Sequence, residues 1–296
     1  LIFDFSNLTE NGCKAHPFFF HTAIPFTEDF MLIDFHVHVF PDQLAPRALN
    51  RLLQVNRVPC YSNGTLADTE AKMKEWGVDQ FVSLNIATKP TQQTDVNNWA
   101  AAVQKSGHIG FGSVHPDAAD AVEELFRIQK LGLSGVKLHP DYQNFFVDDP
   151  KLFPIYDALS ELGLPVVFHA GLDPISPHRA HCPPAALASV LRKFPRMKVI
   201  AAHLGGMVMY REAEEFLAGK NLYMDLSMCV SFCSLEQFER TVRKHGAQRI
   251  LFASDCPWSR PSDEFAYVER SSLSSAEKES IYWKNAAQLL NLSDLS

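Results

Sequence analysis

Two histidines one residue apart, in MLIDFHVHVF, mark where this chain can do chemistry. On a strand, His36 and His38 share one face with Cα atoms about 6.5–7 Å apart, close enough for both imidazoles to hold one ion. Four more apolar runs end in the same way: GVKLHP with Lys137 and His139, LPVVFHAG with His169, KVIAAHLGG with His203, and RILFASDC with Asp255. Imidazole nitrogen and carboxylate oxygen are ligands that zinc favours, and a catalytic site keeps one position open for water or substrate. His36, His38, His169 and Asp255 are therefore the expected ligands of a divalent metal ion, with zinc the expected element. Such an ion lowers the pKa of bound water to about 7 and polarises a carbonyl, which serves hydrolysis or stabilises charge in carbon–carbon cleavage. His203 is left to exchange protons near neutral pH, or to bind metal itself.

The polar group arrives late in each run, where a barrel strand reaches its mouth. From residue 31 onward, β-branched runs alternate with amphipathic stretches, the pattern of parallel βα units. Strands are expected near 31–40, 80–88, 109–115, 134–140, 164–170, 198–204, 221–227 and 249–255. Helices are expected near 42–54, 66–76, 92–106, 118–131, 151–162, 184–194, 209–218, 235–245, 263–270 and 275–290, several closed by glycine as in KEWG, QKSG and RKHG. Eight such units predict an α/β fold, a (β/α)8 TIM barrel with a parallel eight-stranded barrel and outer helices. That architecture takes about 250 residues, and the chain has 296.

Strict alternation places Asp34, His36 and His38 inside and Ile33, Phe35, Val37 and Val39 under the helices. The same rule turns Ala201 with His203, and Ala253 with Asp255, inward. The long first connection, holding 42–54 and RVPCYSNG, is the expected lid or substrate wall, and the loop 172–184 is a second candidate. Residues 1–30, rich in phenylalanine and without period, read as an N-terminal extension outside the barrel. Residues 31–296 read as one metal-dependent hydrolase domain. His16 and His21 in the extension read as incidental.

Several residues carry competing readings. Lys137 can bind a substrate carboxylate, can be carboxylated to bridge two metals, or can snorkel to the surface. His139 is expected to line the substrate pocket, and Arg179 suits an anionic substrate. His115, His178 and His181 fit a loop surface as well as a pocket. A single histidine at a strand end is usually a core or surface group; the joint occurrence in five runs turns the reading toward a site.

The net charge of −7 leaves no basic footprint, which argues against nucleic acid as a partner. No apolar stretch reaches the roughly 20 residues of a membrane span. Six cysteines without a C-x-x-C pair point to a reducing, cytoplasmic setting, and Cys229 and Cys233 read as buried thiols. A small-molecule substrate is the expected partner, with a homo-oligomer open.

Taken together, IDFHVH at 33–38, GVKLHP, VVFHAG, IAAHLGG, LFASDCPW and the tail KNAAQLLNL resemble the amidohydrolase superfamily. Within it they resemble the amidohydrolase-related (amidohydrolase 2) barrels, which include metal-dependent hydrolases and aminocarboxymuconate semialdehyde decarboxylase. The resemblance covers nearly all of 31–292. It implies that His36, His38, His169 and Asp255 bind metal, and that His203 serves catalysis in one-metal members or a second metal in two-metal members. Related nucleases place a glutamate on the fourth strand, where this chain has GVKLHP, so a nuclease is disfavoured. The expected function is hydrolysis of a small, carboxylate-bearing substrate by a metal-activated water at the C-terminal mouth, with Asp255 accepting a proton and His203 stabilising the oxyanion. The alternative is metal-dependent decarboxylation of an unsaturated or aromatic acid, with His203 as acid or base. A non-catalytic binding barrel is a third reading, weakened because every ligand position is kept.

Overall fold

A computed structural model of the protein describes residues 30–56 and 59–292. The extension, apart from Phe30, lies outside the described residues, and His16, His21 and Cys13 with it. Eight parallel strands pair in chain order: β1 (Ile33–Val37), β2 (Gln80–Leu84), β3 (Ile109–Gly112), β4 (Gly135–Leu138), β5 (Val166–Phe168), β6 (Val199–Ala201), β7 (Tyr223–Asp225) and β8 (Ile250–Leu251). Backbone bonds close the ring between β8 and β1: Phe35 N donates to Phe252 O at 2.9 Å, Asp255 N to His36 O at 2.8 Å, and His38 N to Cys256 O at 2.7 Å. The TIM barrel expected from the alternation of runs is the fold.

Every strand falls inside its expected stretch but stops short of it. His139, His169, His203 and Asp255 thus sit just past the ends of β4, β5, β6 and β8, where the backbone is free to leave the ladder. Asp255 (φ 72°) and His203 (φ 57°) take left-handed conformations that cost most side chains about 1–2 kcal/mol. Strain of this kind persists only where surrounding bonds over-determine it, and it collects at functional sites.

Two apolar layers flank the strands. Ile33, Phe35, Val82, Leu84, Ile109, Phe111, Val167, Ile200, Ala202, Leu251 and Ala253 form one. The rings of Phe35 and Phe111 meet 5.6 Å apart although β1 and β3 are not neighbours, so this layer fills the barrel interior. Val37, Val136, Phe168, Ala201 and Phe252 pack in the other with helix residues such as Leu125, Leu159 and Phe238. Strict alternation therefore fails in two places. Ile33 and Phe35 face inward by ordinary alternation, and β1 then carries an extra residue, since Asp34 pairs with Phe81 but Val37 with Ser83. A bulge of this kind flips parity, so Phe35 and His36 both reach the interior. Asp34 lies on the outer side and receives Ser254 N at 2.9 Å and His36 N at 3.1 Å, supporting the site from behind. On β6, Ala202 rather than Ala201 faces inward, and the positive-φ turn then swings His203 in after it.

The first connection folds as expected into a helix, Ala45–Asn56, followed by Leu66–Glu75, whose first turn Thr65 caps through Asp68 N. Leu49 packs with Met207, Met228 and Trp258, and Leu53 and Phe40 join them. This helix thereby reaches the loops after β6, β7 and β8 and walls the mouth.

The outer helix Leu235–His245 carries a pH-sensitive contact away from the mouth. His245 accepts Gly219 N–H at Nδ1 (3.1 Å) and donates Nε2–H to Leu222 O (3.1 Å), so both nitrogens are committed in the neutral ring. Burial, then the charge of Arg249, lowers its pKa to about 4. Below about 6.5 the unfolded chain takes up a proton that the folded ring refuses, so the stability this residue contributes is lost as pH falls from 6.5 toward 4. By linkage the loss approaches about 2–3 kcal/mol. Urea unfolding of the wild type and His245→Asn from pH 7 to 4.5 should show a shallower pH slope in the variant. Identical slopes would remove His245 as the cause.

Candidate active site

The bulge on β1 presents His36 and His38 to the mouth, and fixed acceptors behind each ring decide which nitrogen points forward. His36 Nδ1 lies 2.9 Å from Asp225 Oδ2, and His38 Nδ1 lies 2.8 Å from Leu84 O. A carbonyl or carboxylate can only accept, so both Nδ1 atoms carry the proton and both Nε2 atoms present lone pairs. Asp255 Oδ1 sits 3.5 Å from His36 Nε2 and 3.1 Å from His38 Nε2. It is buried with no hydrogen-bond donor.

The same logic extends around the ring. His169 Nε2 is 3.3 Å from Leu172 O, and His203 Nδ1 is 3.2 Å from Ser227 O, so these also donate backward. Their forward atoms, His169 Nδ1 and His203 Nε2, then face each other as lone pairs at 3.0 Å. Burial first, and then neighbouring charge, lowers the pKa of His36 to about 4, so its ring is neutral at pH 7. Burial likewise lowers His203, and takes His169 well below its ordinary value. For Asp255, burial opposes ionisation but His36 and His38 outweigh it and lower the pKa to about 2.

Converging lone pairs repel unless a cation lies among them. Tetrahedral bonds of about 2.0–2.1 Å separate ligand atoms by about 3.3 Å, close to the two distances from Asp255 Oδ1. His36, His38 and Asp255 offer ligand atoms all within 4.8 Å of one another, and the residues fit a divalent ion. His169 falls outside that tight trio and joins it through His203, whose ring centroid is 4.7 Å from His169 and 5.4 Å from His36.

Lys137 is the cation inside the barrel, fully buried, its Nζ 3.3 Å from His36 Nε2. Complete burial rules out the snorkelling reading. Burial lowers its pKa to about 8 against the pull of Asp225, Asp255 and Asp173, so it is largely charged at neutral pH.

His139 lies beside the site, stacked on His169 at 4.3 Å and on Tyr142 at 3.8 Å. His139, His169 and Asp173 form a second group able to hold an ion by spacing alone. Hydrogen bonding argues otherwise. His139 Nδ1 accepts Tyr142 N–H and His169 Nε2 donates to Leu172 O, so both Nε2 atoms face Asp173 as N–H donors. Asp173 Oδ2 stands 3.5 and 3.7 Å from them, and its burial raises its pKa to about 8.

Arg179 is not drawn into this cluster: it is exposed, with its guanidinium 4.3 Å over the Phe146 ring. His115 is buried and accepts Asp117 N–H, His181 Nδ1 bonds Pro140 O, and His178 is exposed. Cys60, Cys182, Cys229, Cys233 and Cys256 are free thiols. No helix among the described residues is long and apolar enough to cross a membrane.

Three residues that hold this arrangement carry no expectation from sequence: Asp225, Ser227 and Asp173. The run YMDLS ends β7 with the same late polar group as the other runs, which is the signal that marks Asp225. Asp173 follows the FHAG turn with nothing in its spacing to single it out.

The sequence matches a family described as Amidohydrolase over residues 33–292. A 2-amino-3-carboxymuconate-6-semialdehyde decarboxylase of Dictyostelium discoideum is 31% identical over 117 residues, which is 33% of this chain and 32% of that protein. Among solved structures, a 5-carboxyvanillate decarboxylase from Sphingomonas paucimobilis superposes with a TM-score of 0.69 at 17% identity, covering 88% of this chain and 99% of the other. A dihydroxybenzoic acid decarboxylase from a Polaromonas species, solved with bound manganese and an inhibitor, gives 0.67 at 18% identity over 89% and 97%. At such identity the structural likeness speaks to the fold.

Proposed function

This chain belongs to the amidohydrolase family, and on that footing we propose that it is a metal-dependent decarboxylase of a small unsaturated or aromatic carboxylic acid. The observation that carries the reading is the convergence of forward-facing ligand atoms on His36, His38, His169, His203 and Asp255 beside the buried Lys137 cation, whose Nζ lies 3.3 Å from His36 Nε2. His36, His38, His169 and Asp255 would hold a divalent ion, zinc by the softness of the nitrogen-rich donor set. When bound, that ion orients the substrate's oxygen atoms and neutralises charge that builds in the transition state.

The chain's own residues supply the rest. Lys137, charged below about pH 8, faces an anionic substrate from the barrel floor. His139, stacked between Tyr142 and His169, lines the same space. His203 Nε2 carries a lone pair in the resting ring, so it first takes up a proton from solvent and then delivers it to the carbon bearing the carboxylate; the C–C bond breaks with its electrons returning to the unsaturated system, and CO2 leaves. Arg179, exposed on Phe146, has a substrate role only if its loop moves, and the proposal does not use it.

Hydrolysis, expected first from the sequence, takes second place because the matched relatives named above are decarboxylases, although the family's description favours it. In that reading Asp255 accepts a proton from the attacking water and His203 stabilises the oxyanion. CO2 release by the metal-loaded protein across a panel of unsaturated and aromatic acids separates the two. Release without ester, amide or lactone cleavage is expected; cleavage without release reverses the order.

A further inference from the structure

We infer that Asp225 and Ser227 are positioning residues that lock the rings of His36 and His203 into one shared tautomer. The inference rests on the reading of His36 as a metal ligand and His203 as the proton carrier. Asp225 ends β7, and Ser227 follows two residues later with no assigned part in the chemistry.

One carboxylate serves both rings. Asp225 Oδ2 accepts His36 Nδ1–H at 2.9 Å, while Oδ1 accepts His203 N–H at 3.0 Å and Ser227 N–H at 3.1 Å. Oδ1 also takes the Ser227 hydroxyl proton, the only one that oxygen has to give. Ser227 Oγ is thereby left as an acceptor, 2.9 Å from His203 Nδ1 and 3.2 Å from His36 Nδ1. Every one of these groups is buried, so water does not substitute for a lost partner.

Two consequences follow from this wiring. The proton on each Nδ1 is fixed, so both Nε2 lone pairs point to the mouth. The bond to His203 N–H also ties down the residue whose φ is 57°, which places the ring as well as setting its tautomer. Hydrogen bonds behind a ligating histidine are worth about 10–100-fold in metal affinity. A second ring on the same carboxylate couples the metal site to the proton carrier.

The test uses zinc alone as the probe, measured by chelator competition, with histidine ¹⁵N NMR of the zinc-loaded protein reporting tautomers. Asp225→Asn replaces one acceptor oxygen with an NH2 group. Its zinc affinity should fall about 10–100-fold. Ser227→Ala keeps the carboxylate and the Ser227 carbonyl 3.2 Å from His203 Nδ1, so zinc affinity should stay within about threefold while the His203 Nδ1–H signal shifts on losing the nearer of its two acceptors, a change that a serine without contact to the ring would not produce. Ser227→Ala also decides the matter where Asp225→Asn does not fold. His36→Ala separates the layers. Loss of zinc in His36→Ala with wild-type affinity in Asp225→Asn, or with unchanged His203 signals in Ser227→Ala, overturns this inference alone. Full zinc binding by His36→Ala overturns the ligand reading and this inference with it.

Discussion

Asp255→Ala is expected to strip the divalent ion from the purified protein and to lower kcat/KM at least about a thousandfold, equivalent to about 4 kcal/mol of transition-state stabilisation. Asp255 Oδ1 is a buried acceptor without a donor, and it stands 3.5 and 3.1 Å from the forward-facing imidazole nitrogens of His36 and His38. Removing it leaves His36 and His38 as two neutral donors with no negative charge between them. Elemental analysis after dialysis reads the metal, and activity on the best acid of the CO2 panel reads turnover. The backbone needs its own control, because Asp255 holds φ at 72°, where alanine is strained and asparagine is tolerated. Asp255→Asn should therefore keep the melting temperature while losing the charge, with metal content between wild type and Asp255→Ala. An Asp255→Ala protein that keeps one tightly held ion would show that the carboxylate is not a ligand.

Much of this arrangement is legible in the sequence, and the illegible part has a physical pattern. Residue type and lateness in a run are local properties, so His36, His38, His169, His203 and Asp255 stand out in the sequence, and all of them line one barrel mouth. Facing is not local. The extra residue in β1 is set by how that strand pairs with β2, and nothing in IDFHVH distinguishes a regular strand from a bulged one. Strict alternation therefore puts Phe35 on the wrong side, and it does the same for Ala201, because the positive-φ turn at His203 breaks the parity after β6. Lys137 illustrates a third case: its position is readable, but whether a lysine snorkels or stays buried depends on carboxylates from β7 and β8 that only the closed barrel brings near. Asp225 carries the late-polar signal of YMDLS, whereas Ser227, a hydrogen-bond acceptor behind a ligand, has no spacing signature of its own.

His203→Asn is expected to lower kcat by about 100–10,000-fold while leaving one metal ion bound and KM within a few-fold, the size of effect that a positioned proton carrier supplies. Asparagine is the substitution of choice because it accepts the left-handed backbone at this position, so the change removes the ring and spares the turn. His203 stands between the two halves of the site. Its Nδ1 is held from behind by Ser227, and its Nε2 meets His169 Nδ1 at 3.0 Å. If it carries protons, the ion held by His36, His38, His169 and Asp255 survives its loss and only turnover suffers. If instead the metal leaves with the ring, the 3.0 Å contact marks two ligands of one ion rather than a proton path, and the acid in the reaction must be sought elsewhere. Lys137 is then the first group to replace, since its Nζ lies 3.3 Å from His36 Nε2 and its pKa of about 8 leaves it a proton to give near neutrality.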